Sequence, residues 1–266
     1  MTMDELKQVS VEILQEIHDF CVEHNIQYSL GYGSLIGAIR HKGFIPWDDD
    51  VDIIMIRPEY DRFCKLFKSK KGLKLITPDM HNVQIAYARV CEMNKTLVEA
   101  SESPWIDKPT GVWVDVFPID AIAEKKDEAH KVIDKANLLW KATYPIRRAN
   151  TPLYKYKSFV KKIKIILRRY LTFDKSANKQ LVELTQSKHW GDSRCCANIA
   201  YPEYKYKDIH NVSVFDKYIE TQFDGLSFKI VAAYDELLTD IYGDYMTPPP
   251  VDKRIRKNDS NVYYWK

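Results

Sequence analysis

The segment Tyr28–Ile56, YSLGYGSLIGAIRHKGFIPWDDDVDIIMI, constrains the fold more than any other stretch of the chain. It sets a Gly33-Ser34 turn ahead of an acidic run in which Asp48, Asp50 and Asp52 fall on alternate positions, and the run passes straight into the apolar IIMI. Along an extended strand successive side chains point to opposite faces, so DVDIIMI read as a strand aims Asp50 and Asp52 at one point. Two carboxylates held together repel unless a cation occupies the space, and a set of oxygen ligands suits Mg²⁺ or Mn²⁺. YSLGYG reads as a short strand, Ser34 as a helix N-cap, and LIGAIR as the start of a helix whose free N–H groups attract phosphate. Gly33 lets that backbone come close to the ligand. The alternative is a solvated acidic turn after a plain strand-to-helix connection. Against it, acids that run into an apolar strand sit at the mouth of a core, where pKa-perturbed functional groups gather.

The rest of the chain supplies a scaffold for such a site. At 266 residues and 45% hydrophobic content it can bury a core as one large domain, or as a catalytic domain with an insert. There is no basic flank followed by an apolar core at the N-terminus and no uninterrupted apolar run of about 18 residues, which predicts a cytoplasmic protein. The five cysteines include the adjacent Cys195 and Cys196 but no CxxC pair, so reduced, structural thiols are expected.

Helical spacing of Leu6, Val9, Ile13, Leu14, Ile17, Phe20 and Cys21, behind a Thr2/Glu5 capping box, predicts a first packing helix. A helix with Pro58 near its start follows the acidic strand, and strands are expected over 73–77, 83–91, 96–99 and 112–117. Further helices are expected over 124–142, 175–188 and 229–242, with a loop over 189–198. Gly243 would stop the last helix. The architecture is α/β (α+β), a mixed sheet flanked by helices.

Several of these stretches resemble one family. GSLIGAIRHKGFIPWDDDVDI (33–53) is very similar to the signature of the LicD phosphotransferases, relatives of the fukutin-related proteins in the nucleotidyltransferase-fold superfamily. RVCEMNKTLVE (89–99), WVDVFPID (113–120) and YDELLTDIYGDYMTPPP (234–250) resemble later blocks of that family. The likeness is good over 28–120, fair over 234–250 and scant between. It implies a nucleotidyltransferase-like sheet, Gly33 and Ser34 as the glycine-serine element, and Asp50, Asp52 and Asp115 as metal and catalytic acids. Asp48 is a fourth participant in that scheme, Asp49 points away if the run is extended, and Asp120 ranks below Asp115. Alone, Asp115 reads equally as an acid answering a nearby Arg or Lys. Arg40, His41 and Lys42, close behind the turn, and Arg89, on a strand, are candidate donor-phosphate contacts, with surface or structural roles as the alternative.

Charge divides the chain unevenly. Residues 135–173 hold eleven Lys or Arg and no acid, so with a total of +3 the remainder carries −8. Within that window YKYKSFVKKIKIILRRYL (154–171) reads as a basic amphipathic helix, suited either to a membrane surface or to packing with solvated lysines. No zinc-finger, KH or RNA-binding aromatic signature accompanies it, so nucleic acid is not expected as a partner. The implied organisation is a catalytic core over 1–123, a helical basic insert over 124–190 and a C-terminal part over 191–266 that completes the catalytic domain.

The resemblance further implies transfer of phosphocholine or a related phospho-alcohol from CDP-choline or a similar CDP-alcohol. The acceptor would be a sugar hydroxyl of teichoic acid, capsule or lipooligosaccharide, on a lipid-linked glycan, and CMP would be released. A choline headgroup would favour an aromatic cage, and Trp47, Trp105 and Trp113 lie near the motifs. Two other readings are a nucleotidyltransferase that uses an NTP and releases pyrophosphate, and a non-catalytic membrane-surface partner in glycan assembly.

Overall fold

A computed structural model describes residues 1–99, 110–147, 159–160, 163, 176–254 and 261–266. The first helix, α1 (Met3–Glu23), starts as its sequence predicts: Thr2 accepts the Glu5 amide, and the Glu5 carboxylate accepts the Thr2 amide. Its apolar stripe is buried, and it packs on the strands β4 (Ala88–Glu92) and β6 (Val112–Ile122).

The main sheet runs β1 (Ser29–Leu30), β2 (Asp52–Ile56), β6, β4, β3 (Lys74–Ile76). Only β2 and β6 are parallel in it, with Asp52 opposite Asp115 and Ile56 opposite Ile119; the other pairings are antiparallel. The connection between those parallel strands begins with α3 (Arg57–Leu66), which packs against both. All eleven residues of β6 are buried, as expected of a central strand covered on both faces. Antiparallel to the far end of β6 runs β7 (Cys195–Ala197), and β8 (Ile209–Asn211) pairs with β7. The C-terminal third therefore adds strands to the same sheet that holds the acids.

Around the sheet lie α2 (Tyr32–His41), α4 (Lys126–Arg147), α5 (Ser176–Thr185), α6 (Tyr234–Tyr242) and two further pairs of strands. One pair is the hairpin β9 (Tyr218–Phe223) and β10 (Leu226–Val231); the other joins β5 (Thr96–Glu99) to β11 (Val262–Trp265). Val231 donates its amide to the Ser29 hydroxyl, docking the hairpin on β1.

Several sequence expectations need correction. The strand expected from Asp50 begins at Asp52, so Asp48 to Val51 lie on an irregular approach to it. Residues 83–87 are not in the strand expected over 83–91. The segment 189–198 contains β7, and Ile230 and Val231 belong to β10 rather than to the last helix, because the Asp224-Gly225 turn folds that stretch into a hairpin. Gly243 does cap α6, with φ 72°. The basic stretch 154–171 lies outside the described residues except for Phe159, Val160 and Ile163, which are exposed. Among the described residues no helix is long and apolar enough to cross a membrane.

Candidate active site

The turn into α2 and the start of β2 are tied together. Gly31, the N-cap of α2, donates its amide to the Asp52 carbonyl at 2.8 Å, and the Ser34 hydroxyl accepts the Asp52 amide at 2.9 Å. Ser34 is thus not the N-cap its sequence implied; it sits inside the first helical turn and spends its hydroxyl on the acidic strand. A Cβ added to Gly33 would stand 2.6 Å from Asp48 Oδ2, so glycine is what allows this carboxylate to rest on the turn.

Beyond the turn the acids converge. Asp48, Asp49 and Asp50 each place one carboxylate oxygen within 4.8 Å of the others, and a metal ion could be held there. Asp49, expected to point away, joins this group because the run is not extended strand. Asp52 and Asp115 lie side by side across β2 and β6, and the Asp115 amide donates to the Val51 carbonyl at 3.1 Å. Burial is the largest influence raising the Asp115 pKa, and the charge of Asp50 adds to it.

Asp115 is also anchored. Arg89, opposite it on β4, donates from Nε to Oδ1 at 2.5 Å and from Nη2 to Oδ2 at 3.3 Å, while Trp113 Nε1 donates to Oδ2 at 3.1 Å. Burial raises the Asp115 pKa and Arg89 opposes it. The guanidinium lies 4.4 Å from the Trp113 ring centre and gives its remaining reach to the Tyr87 hydroxyl. Asp115 is therefore answered by an arginine across the sheet, and Arg89 commits Nε and Nη2 to protein groups.

The remaining predicted contacts fall elsewhere. Arg40, His41 and Lys42 close the other end of α2, about 10 to 14 Å from Gly33 at 1.5 Å per residue. Arg40 donates to the Tyr245 carbonyl at 2.6 Å and to His41 Nε2 at 2.9 Å, and burial lowers its pKa with help from Arg254. Asp120 is paired with Arg57 at 2.6 Å, further along β6. Trp47 carries Arg254 5.0 Å from its ring centre, and Trp105 lies outside the described residues. No disulfide joins the five cysteines; burial raises the thiol pKa of Cys21, Cys91 and Cys196, that of Cys91 to about 12.

A set of aromatic residues escaped the sequence reading. Phe117, two residues beyond Asp115 and so on the same face of β6, packs against Tyr87, Tyr201 and Tyr32 with ring centres 4.5–5.8 Å apart. Tyr204 stacks on Tyr32, and the Tyr242 hydroxyl bonds that of Tyr204 at 2.6 Å. Burial and its tyrosine neighbours raise the Tyr242 pKa, and the negative charge of Asp52 adds to them.

A glycine-serine turn at a helix start, joined through a backbone bond to an acid-bearing strand, with a second acid on the parallel neighbour, matches what nucleotidyltransferase-type domains present. Residues 25–154 match the family described as LicD/FKTN/FKRP, nucleotidyltransferase domain. The chain is 27% identical over 288 aligned positions to the lipopolysaccharide cholinephosphotransferase LicD of Haemophilus influenzae, covering 99% of this chain and 98% of that one. Shorter matches join it to uncharacterised proteins of Rickettsia typhi (33% identity, 27% of this chain and 23% of the relative) and Rickettsia prowazekii (43%, 16% of each). In class the protein is a phosphotransferase on a nucleotidyltransferase-like sheet. Its likeness is to the LicD family, over the residues of that match and, at 27% identity, over nearly the whole chain.

Proposed function

We propose that this enzyme transfers phosphocholine, or a related phospho-alcohol, from a CDP-linked donor to a sugar hydroxyl of a cell-surface glycan and releases CMP. The observation that carries the reading is the meeting of Asp52 and Asp115 across parallel strands beside the Asp48–Asp50 cluster and the Ser34 turn. The near full-length likeness to a cholinephosphotransferase supports the choice of transferred group.

An all-carboxylate donor set fits a hard divalent cation, Mg²⁺ or Mn²⁺, rather than a metal that prefers sulfur or imidazole. Asp48, Asp49 and Asp50 would hold it, with Asp52 and Asp115 adjoining. Bound there, the ion would neutralise charge on the donor diphosphate. The chain's own groups do the rest. The first amides of α2, beside Gly33 and Ser34, receive phosphate oxygens, and Ser34 fixes the backbone of Asp52 relative to them. Arg89 and Trp113 orient Asp115. Asp48, half-buried against Gly33, takes the proton of the attacking sugar hydroxyl.

A quaternary ammonium is held by ring faces. The half-buried Tyr201, beside Phe117, and Tyr204, stacked on Tyr32, are the aromatic surface that would receive the headgroup. The acceptor is lipid-linked, and the basic stretch 154–171 carries the enzyme to the membrane surface. Incubation with CDP-choline, CDP-ethanolamine and CDP-glycerol, a divalent cation and a glycan acceptor should yield CMP, fastest from CDP-choline. Pyrophosphate released from an NTP, with no CMP from any CDP-alcohol, would overturn the reading.

A further inference from the structure

The turn at the start of α2 holds a residue in a backbone conformation that its side chain disfavours. Tyr32 has φ 47°, in the left-handed region, while its neighbours Gly31 and Gly33 do not have positive φ. An L-residue pays a steric penalty there that glycine avoids, and such outliers persist only where surrounding contacts fix them.

Those contacts are on hand and come from the far end of the chain. The Tyr32 hydroxyl donates to Asp208 Oδ2 at 2.9 Å and accepts from Asn198 Nδ2 at 2.8 Å. The other oxygen of Asp208 meets His210 Nε2 at 3.1 Å, and His210 Nδ1 meets Asp240 Oδ2 at 3.1 Å. The side chains of Asp208 and His210 are 3% and 0% exposed, whereas Asp240 reaches the surface at 48%. Tyr204 stacks flat on the Tyr32 ring and Phe117 meets its edge. Burial works against a charged His210, but Asp208 and Asp240 outweigh it and raise its pKa.

We propose that Tyr32, Asp208 and His210 are positioning residues: a buried tyrosine–carboxylate–imidazole latch that holds the phosphate-receiving turn in its working conformation. This rests on the reading of that turn as the donor-phosphate site. A satisfied buried polar chain specifies one arrangement where apolar packing would tolerate several, and the group it secures is the residue between the two glycines. The three act through the backbone of the turn.

Two measurements on Tyr32→Phe, which removes one oxygen and keeps the ring, test the latch. Amide hydrogen exchange over residues 29–37 should speed up about tenfold while exchange in β4 stays unchanged, a local opening of the kind discrete structural units show. In CMP release, KM for CDP-choline should rise about tenfold with kcat within about twofold, the signature of lost donor binding rather than lost chemistry. His210→Leu should reproduce both effects, and His210→Gln, whose amide can still donate to Asp208, should largely restore them. Unchanged exchange over 29–37 in Tyr32→Phe overturns the proposal, as does an equal rise in β4, which would mark the chain as ordinary scaffold. Should the wild-type protein neither bind nor turn over a cytidine donor, the donor reading falls, while the exchange comparison still decides whether the latch exists.

Discussion

The two buried aspartates of β6 make an internal comparison. Asp115 and Asp120 are five residues apart, hence on opposite faces of the strand by alternation, and each is paired with an arginine on a neighbouring segment. Around Asp115 both carboxylate oxygens are bonded, and the Arg89 guanidinium is sandwiched over Trp113. Around Asp120 one oxygen and one arginine nitrogen, Asp120 Oδ2 and Arg57 Nη2, have no partner, and Arg57 lies over Tyr60 on α3. Burial raises both acids, Asp120 to about 6. The same pair of residue types thus serves two ends: a fully satisfied acid held among other acids, and an under-satisfied ion pair that belongs to the packing between α3 and the sheet.

The largest test of that division is the double substitution Asp50→Asn, Asp52→Asn. CMP release should fall about 10³-fold or more, because one of the three carboxylates that would hold the cation and one adjoining it lose their charge, while Tm stays within about 4 °C. Retained turnover would place the chemistry elsewhere.

Next in size, Arg57→Met leaves Asp120 buried without its partner and should cost about 3–5 kcal/mol in urea unfolding. Arg89→Met should cost as much in metal-free buffer, but saturating Mg²⁺ should return part of it, since Asp115 adjoins the proposed cation site and Asp120 does not. If Mg²⁺ restores both variants equally, or neither, the contrast between the two faces fails.

A third measurement uses pH. Asp120 holds its proton more tightly in the folded protein, about 6, than at its ordinary value of about 4. A pKa raised by folding stabilises the protein below the unfolded value, and that contribution disappears as pH rises through the folded one. Asp120→Asn should therefore gain relative to the wild type by up to about 3 kcal/mol between pH about 4 and about 7, read from parallel urea titrations. A difference that stays flat over this range would mean that Asp120 is not raised. The smallest effect is expected far from either face: Thr2→Ala removes the α1 cap, costing about 1 kcal/mol with activity unchanged.

Local patterns in the sequence carried much of this architecture. The stripe of α1, its capping box and the strand 96–99 follow from periodicity and hydrogen-bonding chemistry confined to a few residues. The acid-rich approach to β2 was recognisable, but its geometry was not, because alternation applies only to extended chain and Asp48 to Val51 are irregular. The hairpin β9–β10 had a local sign, Asp224-Gly225 between alternating residues, which the helical spacing of Ile230, Val231 and Tyr234 overrode. A nearby Arg or Lys was one of two meanings open for Asp115 in the sequence, but nothing there pointed to Arg89 as the partner. Nothing local could have joined Tyr32 to Asp208, since their bond spans 176 residues and neither has a distinctive setting.

The parallel pairing of β2 with β6 also bears on how the protein comes into being. A nascent chain that has emerged only as far as the residues before Val112 contains the turn and the acid run, yet lacks the strand against which β2 must lie. Joining segments that remote is slow relative to forming a local hairpin. Cation affinity should arrive with the closing of the sheet, late in folding, and a fragment ending before Val112 should show none.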